Sequence, residues 1–258
     1  MVFYCVFLCK YGSILTKYKL IRVFGKKERM LPLWPTISHS PILTRWDWSP
    51  LIHSAYSRNR HFFDRFPSSS RLAGLIDTLG LSDPEDPSTM IKGLLAIHIR
   101  RGDFEDHCRH LAVWDADWHA WNAFPEFIDK FEKPTNTSSE ETTNLYLKHC
   151  YPTIQQIVDK VKRVRQESQA THDLRYLYIM TNGPSPWVEA LKTVLAEESE
   201  WESVKSSRDL ELTWEETFVA QGVDMLVAQR AEVIIGNGVS PYMCWTVVLS
   251  TQVALIRI

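Results

Sequence analysis

The chain has 258 residues, enough for one large domain or two small ones. Apolar residues make up 45% of it, an ordinary share for a protein with a true core. A formal net charge of -2 gives no global attraction to nucleic acid or anionic membranes, so nucleic acid is not expected as a partner and any polyanion site must be local.

Residues 1–50 carry no regular periodicity and include Pro32, Pro35, Pro41 and Pro50. The opening Met1–Cys9 run is apolar but has no leading positive charge and is far shorter than the roughly 20 residues that cross a bilayer, so it reads as no membrane anchor. Leu51–Tyr56 opens a short helix. Leu94–Ile99 is an apolar run that ends in charge, the pattern of a buried parallel strand. The Thr-, Ser- and Glu-rich stretch 133–144 reads as a surface loop. Within it, Asn136-Thr137-Ser138 matches the N-glycosylation acceptor pattern.

Ile154, Ile157, Val158, Val161 and Val164 recur at helical spacing, which predicts an amphipathic helix over 151–168. Leu174–Thr181 is the next buried strand. Ser185 and Pro186 read as an N-cap and first helical position, starting a helix to about Glu197. A short strand follows near Trp201–Lys205. Thr213 and Glu216 form a capping-box pattern for a helix that runs to Arg230. Val233–Ile235 is a further strand, and Ser240-Pro241 starts a last helix. Strands alternating with helices predict an α/β fold built on a parallel sheet flanked by helices.

In such sheets ligands bind beyond the carboxyl ends of the strands. The loops at Arg100–Asp106, Asn182–Ser185 and Gly236–Ser240 fall there. Arg100 and Arg101 come directly off a strand end, and paired guanidinium groups suit a diphosphate because each donates parallel, charge-assisted hydrogen bonds. Gly236, Asn237, Gly238 and Ser240 run from a strand into a helix start, where backbone approaches a ligand closely and free N–H groups face an anion. The bland alternatives are a solvated turn for the arginines and a plain strand–helix turn for the glycines. Both arginines and glycines fall at the same sheet edge.

His98 should point inward, opposite to Ile97 and Ile99, as a buried support for the arginine loop or as a base. The stretch His98, Asp103, Glu105, Asp106, His107, Cys108 and His110 is rich in metal-ligand types but lacks a recognisable ligand spacing, so no metal is expected. Arg101-Gly102-Asp103 also spells a cell-adhesion tripeptide, a match short enough to arise by chance. No Cys-x5-Arg loop accompanies the arginines, which argues against a phosphatase. The five cysteines include no CxxC pair, so a zinc ribbon or thioredoxin-type site is not expected. Ten Trp residues is a high count; such rings line sugar clefts in some proteins and fill cores in most.

His98-Ile99-Arg100-Arg101-Gly102-Asp103-Phe104 resembles the HxRR motif of GDP-fucose protein O-fucosyltransferases and the related α1,6-fucosyltransferases. Asp224-Met225 with Arg230 through Ser240 resembles that family's block ending in Ile-Gly-Asn. His107–Ala112 and Tyr178–Gly183 are similar to fungal members, and the likeness covers about residues 31–250. It implies a GT-B glycosyltransferase, of which residues 51–258 would be the Rossmann-like, GDP-fucose-binding C-terminal domain. Residues 1–50 would be the remnant of a truncated acceptor domain.

The same resemblance implies fucose transfer from GDP-fucose to a protein or glycan hydroxyl by inverting displacement, without a cofactor or obligatory metal. Arg100 would bind the β-phosphate and Arg101 support it. His98 and Asp103 would hold the donor or the loop, with Asp103 beside Arg100 in the catalytic group. Asp224 would contact guanine, and Ser240 with its neighbours would bind phosphate. Family membership further implies the lumen of the Golgi or endoplasmic reticulum, where Cys108 and Cys150 would pair as a disulfide. Two departures stand out: Pro241 replaces the family's second Ser after the Ile-Gly-Asn block, and little chain precedes His98. A non-catalytic nucleotide-sugar or glycan-binding module is the rival expectation.

Overall fold

The computed structural model describes residues 31–41, 47–63, 90–116, 131–132, 135–236 and 254–257. Its centre is a five-stranded sheet in the order β3-β2-β1-β4-β5. The strands are β1 (Ile91–Ile99), β2 (Tyr176–Thr181), β3 (Ser203–Ser206), β4 (Ala231–Gly236) and β5 (Ala254–Arg257). Every neighbouring pair is parallel. The predicted α/β class with a helix-flanked parallel sheet is therefore what the chain forms.

The helices are α1 (Trp34–Ser38), α2 (Pro50–Asn59), α3 (Glu105–Val113), α4 (Ser139–Cys150), α5 (Ile154–Ser168), α6 (Ser185–Glu198) and α7 (Ala220–Arg230). Alternation along the strands sorts the sheet into two faces. Leu95, Ile97 and Ile99 of β1, with Leu177, Ile179, Val233 and Ile235, pack against Ile157, Val158, Val161 and Val164 of α5 and Leu191 and Leu195 of α6. Leu94 and Ala96, with Tyr176, Tyr178 and Ile234, pack against Ile52, Ala55 and Tyr56 of α2 and Val223, Leu226 and Val227 of α7. Three layers result, with β1 in the middle of the sheet. Among the described residues no helix is long and apolar enough to cross a membrane.

Several boundaries move from their sequence-based positions. β1 begins at Ile91, where Gly93 takes φ +79° and the register against β4 shifts between Ile91 and Leu95. β2 is shorter than expected, starting at Tyr176, and β3 covers Ser203–Ser206. Ser185 is the first helical residue of α6 rather than its cap, because Pro184 holds the extended cap position at ψ 143°. Thr213 and Glu216 exchange the two expected capping hydrogen bonds, yet they cap a 3-10 turn, Glu216–Val219, that leads into α7. The last predicted helix, starting at Ser240-Pro241, lies outside the described residues.

The stretch 133–144 is corrected. Much of it is the start of α4, closed by a capping box between Ser138 and Glu141. Its polarity reflects exposure on most sides of the helix, not irregular backbone. Tyr146 and Cys150, one turn apart, are the buried side chains, and they pack against Cys108 and Ala112 of α3. Part of the first 50 residues joins the main core. Trp48 is buried against α2 and α7, and its Nε1 donates to Gln229 Oε1 at 2.7 Å.

Candidate functional site at the carboxyl edge of the sheet

β1 connects outward on one side to β2 and β3, and the chain then returns to place β4 on the other side of β1. The order reverses at β1 and β4, which makes the crevice beyond their carboxyl ends the topological switch point where open α/β sheets take ligands. His98 lies opposite Gly236 in the β1–β4 register, and Ile99 lies opposite Thr181 in the β1–β2 register. The chain leaving β1 at Arg100 and the chain leaving β4 after Gly236 therefore start side by side. This is the meeting of arginine loop and glycine loop that the sequence predicts. Asn237, Gly238 and Ser240 lie outside the described residues.

The turn after β1 is built by hydrogen bonds from the next strand. Thr181 Oγ1 donates to Ile99 O at 2.7 Å and accepts from Gly183 N at 3.0 Å. Asn182 Oδ1 accepts from Arg101 N at 2.7 Å. Gly102 follows at φ +58°, and a Cβ there would stand 2.8 Å from Asn182 Nδ2, so a side chain is excluded by backbone conformation and by space together. Phe104 N then donates to Arg101 O at 3.2 Å, and the 3-10 turn Gly102–Phe104 runs on into α3.

The two guanidinium groups have different surroundings. Arg100, its side chain 31% exposed, reaches Asp103 Oδ1 at 3.4 Å and stands 5.3 Å from the Phe104 ring centroid. Arg101 lies 3.8 Å from the Tyr151 ring and 4.6 Å from the Trp187 ring, and its Nη1 donates to Pro152 O. Those partners belong to the α4–α5 junction and to α6. Arg100 thus faces the open edge while Arg101 fastens the turn to the helices behind it. Asp103 is 85% exposed, beside Arg100.

His98 is buried, on the face opposite Ile97 and Ile99 as its strand position predicts. Burial first, and the positive charge of Arg100 second, push its pKa down to about 4, so the ring is neutral at pH 7. Asp224, on α7, accepts from Tyr178 Oη at 2.6 Å and from Ser207 Oγ at 2.8 Å. Both of its carboxylate oxygens are thus engaged within the protein. Desolvation raises its pKa to about 6 against the opposing pull of those hydrogen bonds. Tyr178, buried with it, is pushed well above its ordinary value by the same desolvation and then by the carboxylate.

Sequence reasoning did not single out Asn182, Tyr178 or Ser207 as site residues. The Asn182 loop is legible as an edge loop, but nothing in its sequence says that the amide holds the arginine turn. Nor does the spacing of Tyr178, Ser207 and Asp224 betray that they meet. Arg208 adds to the same edge, where its Nη2 donates to Gly183 O at 2.7 Å.

The remaining candidates lie away from this edge. Cys108 and Cys150 form a disulfide with Cα atoms 5.8 Å apart, joining α3 to α4. With Cys108 so bonded, His107 and His110 beside it pack on Trp114. Among the described residues no His, Cys, Asp and Glu cluster could hold a metal ion. Asn136 is exposed, in left-handed backbone at φ 59°, just before the α4 cap. A cavity of about 460 Å³ sits at the opposite, amino edge of the sheet, where Lys162, Arg165, His172 and Glu198 line it. It contains none of the site residues, and the Lys162–Glu198 ion pair closes part of it.

No family model matches the sequence, and no curated protein matches it. Among solved structures, the chain is similar to POFUT1 in complex with GDP, at a TM-score of 0.49 and 12% identity over 86% of this chain and 50% of that one. It is also similar to POFUT1 in complex with GDP-fucose, at a TM-score of 0.39 and 15% identity over 73% of this chain and 46% of that one. The chain spans about half the length of these structures.

Proposed function

We propose that this chain is the donor-binding half of a glycosyltransferase that moves fucose from GDP-fucose to a hydroxyl of a protein or glycan acceptor. One observation carries the reading: Arg100 and the chain leaving Gly236 emerge side by side at the switch point of a parallel sheet. The His98–Phe104 and Asp224–Ser240 motifs, which resemble those of GDP-fucose-dependent enzymes, specify which nucleotide sugar. In this reading Arg100 binds the diphosphate and offsets the charge that develops on departing GDP as the acceptor oxygen attacks the anomeric carbon from the opposite face. Neutral His98 supports the strand end beneath it, and Arg101 anchors the loop. Asp224 reaches guanine only if a ligand displaces one of its present partners. No metal is required, because the guanidinium supplies the positive charge. A secretory-lumen setting fits the Cys108–Cys150 disulfide and the exposed Asn136 sequon.

Calorimetric titration with GDP and GDP-fucose, followed by assays of donor hydrolysis and fucose transfer, tests the reading. GDP binding is expected. Arg100→Ala should weaken it and, if turnover occurs, remove about 3 kcal/mol of transition-state stabilisation. Unchanged GDP affinity in that variant contradicts the assignment. A second reading is a non-catalytic module that binds the nucleotide sugar without turnover. Pro241 favours it, since this residue offers no N–H where the family pattern has Ser. GDP-fucose binding without hydrolysis or transfer would decide for it.

A further inference from the structure

We propose that Asn182 is the positioning residue that aims Arg100 into the diphosphate site. The inference rests on the proposed function for the ligand and on the hydrogen bonding of the turn for the rest. The stretch Arg100–Gly102 is the pivot between a buried strand and an exposed helix, and its backbone N–H groups have no ladder to join. Asn182 Oδ1 takes the Arg101 N–H at 2.7 Å, from a loop distant in sequence. The other side of the same amide lies against Gly102, whose φ of +58° turns the chain toward α3. Thr181 Oγ1 ties Ile99 O to Gly183 N, so Asn182 itself is held between two fixed points. Arg208 adds a third tie at Gly183 O, 2.7 Å away.

With the Arg101 backbone held by Asn182 and the Arg101 guanidinium held by Tyr151, Trp187 and Pro152, the departure direction of Arg100 is set from both sides. Loss of the amide frees the peptide that carries Arg100 but removes no group that would touch phosphate. Asn182 therefore acts through Arg100, and its effect should vanish when Arg100 is absent. A residue that merely stabilises the fold would show no such dependence.

A double-mutant cycle with GDP as the probe, read by calorimetry, separates these cases. Asn182→Ala is expected to weaken GDP binding about tenfold, as for loss of one well-placed hydrogen bond. In an Arg100→Ala background the same change should alter affinity less than about twofold. Gly102→Ala, which forces a Cβ against the same amide, should reproduce the loss if Asn182→Ala folds poorly. Amide hydrogen exchange supplies a readout that needs no ligand. Exchange at Arg101 should accelerate in Asn182→Ala and stay slow in Asn182→Asp, which keeps the acceptor oxygen. Equal losses of GDP affinity with and without Arg100, or unchanged Arg101 exchange in Asn182→Ala, overturn the positioning role. Failure of the unaltered protein to bind GDP overturns the proposed function itself, and Asn182's part in it, a result distinct from a cycle without coupling.

Discussion

At the scale of single residues, adjacent side chains of one type take unlike tasks. Arg100 and Arg101 look like a matched pair in the sequence, and the symmetry of two guanidinium groups invites one shared ligand. The fold gives Arg101 two aromatic rings and a carbonyl, leaving Arg100 at the edge. The inference that a strand end carries a local cation was legible; the division of labour was not, because Tyr151 and Trp187 are distant in sequence.

Asp224 shows the same limit in another form, and it carries a pH dependence. Its pKa rises from 3.8 to about 6 because desolvation outweighs its two hydrogen bonds. A carboxyl that binds its proton more tightly in the folded state contributes stability that is fully present below pH 3.8 and is lost as pH rises through about 6. Above that point the buried charge costs up to about 3 kcal/mol. Asn at this position cannot ionise, so the stability of Asp224→Asn relative to the unaltered protein should improve steadily between pH 4 and pH 7. Urea denaturation across that range checks it; a difference that stays flat with pH would mean that Asp224 is not desolvated.

Among elements, the α3–α4 pair depends on a covalent tie more than on its core. The buried part of its interface is Cys108, Ala112, Tyr146 and Cys150, a small cluster apart from the two faces of the sheet. The disulfide spans 42 residues. Restricting an unfolded loop of that length is worth about 4 kcal/mol by chain entropy, within the usual range of about 2 to 5. Cys108→Ser with Cys150→Ser should therefore lower stability by about that amount under non-reducing conditions. Reduction of the unaltered protein should give the same loss. A denaturation midpoint unaffected by either would show that the helix pair is held by other contacts.

Capping chemistry explains much of what was legible among the helices. Thr153 with Gln156 closes the start of α5, and Ser138 with Glu141 closes α4. The apolar stripe of α5 is strong enough to be read without its cap. The α4 segment has few buried positions, so its polar composition hides a helix that its own capping box announces.

For the whole molecule, β1 is the decisive strand. It pairs with β2 on one side and β4 on the other, and its alternate side chains enter both cores. Ile97, fully buried in the middle of β1, has no room to be compensated from solvent. Ile97→Ala should cost about 2 to 5 kcal/mol of unfolding free energy. A loss below about 1 kcal/mol, read from urea midpoints, would contradict the central place of this strand.

What the sequence determined by itself is local. Apolar runs marked β1, β2 and β4, helical spacing marked α5, and charge at the end of an apolar run marked where chemistry can be placed. These features depend on neighbours along the chain, so one sequence is enough to read them. Tertiary structure alone decided the strand order, the commitment of Arg101 to the scaffold, the capture of Arg101 N by Asn182, and the burial of Asp224 beside Tyr178 and Ser207. Each of these joins residues far apart in the chain. Their partners are chosen by how the layers pack and which hydrogen bonds that packing must satisfy, and no spacing pattern encodes the choice.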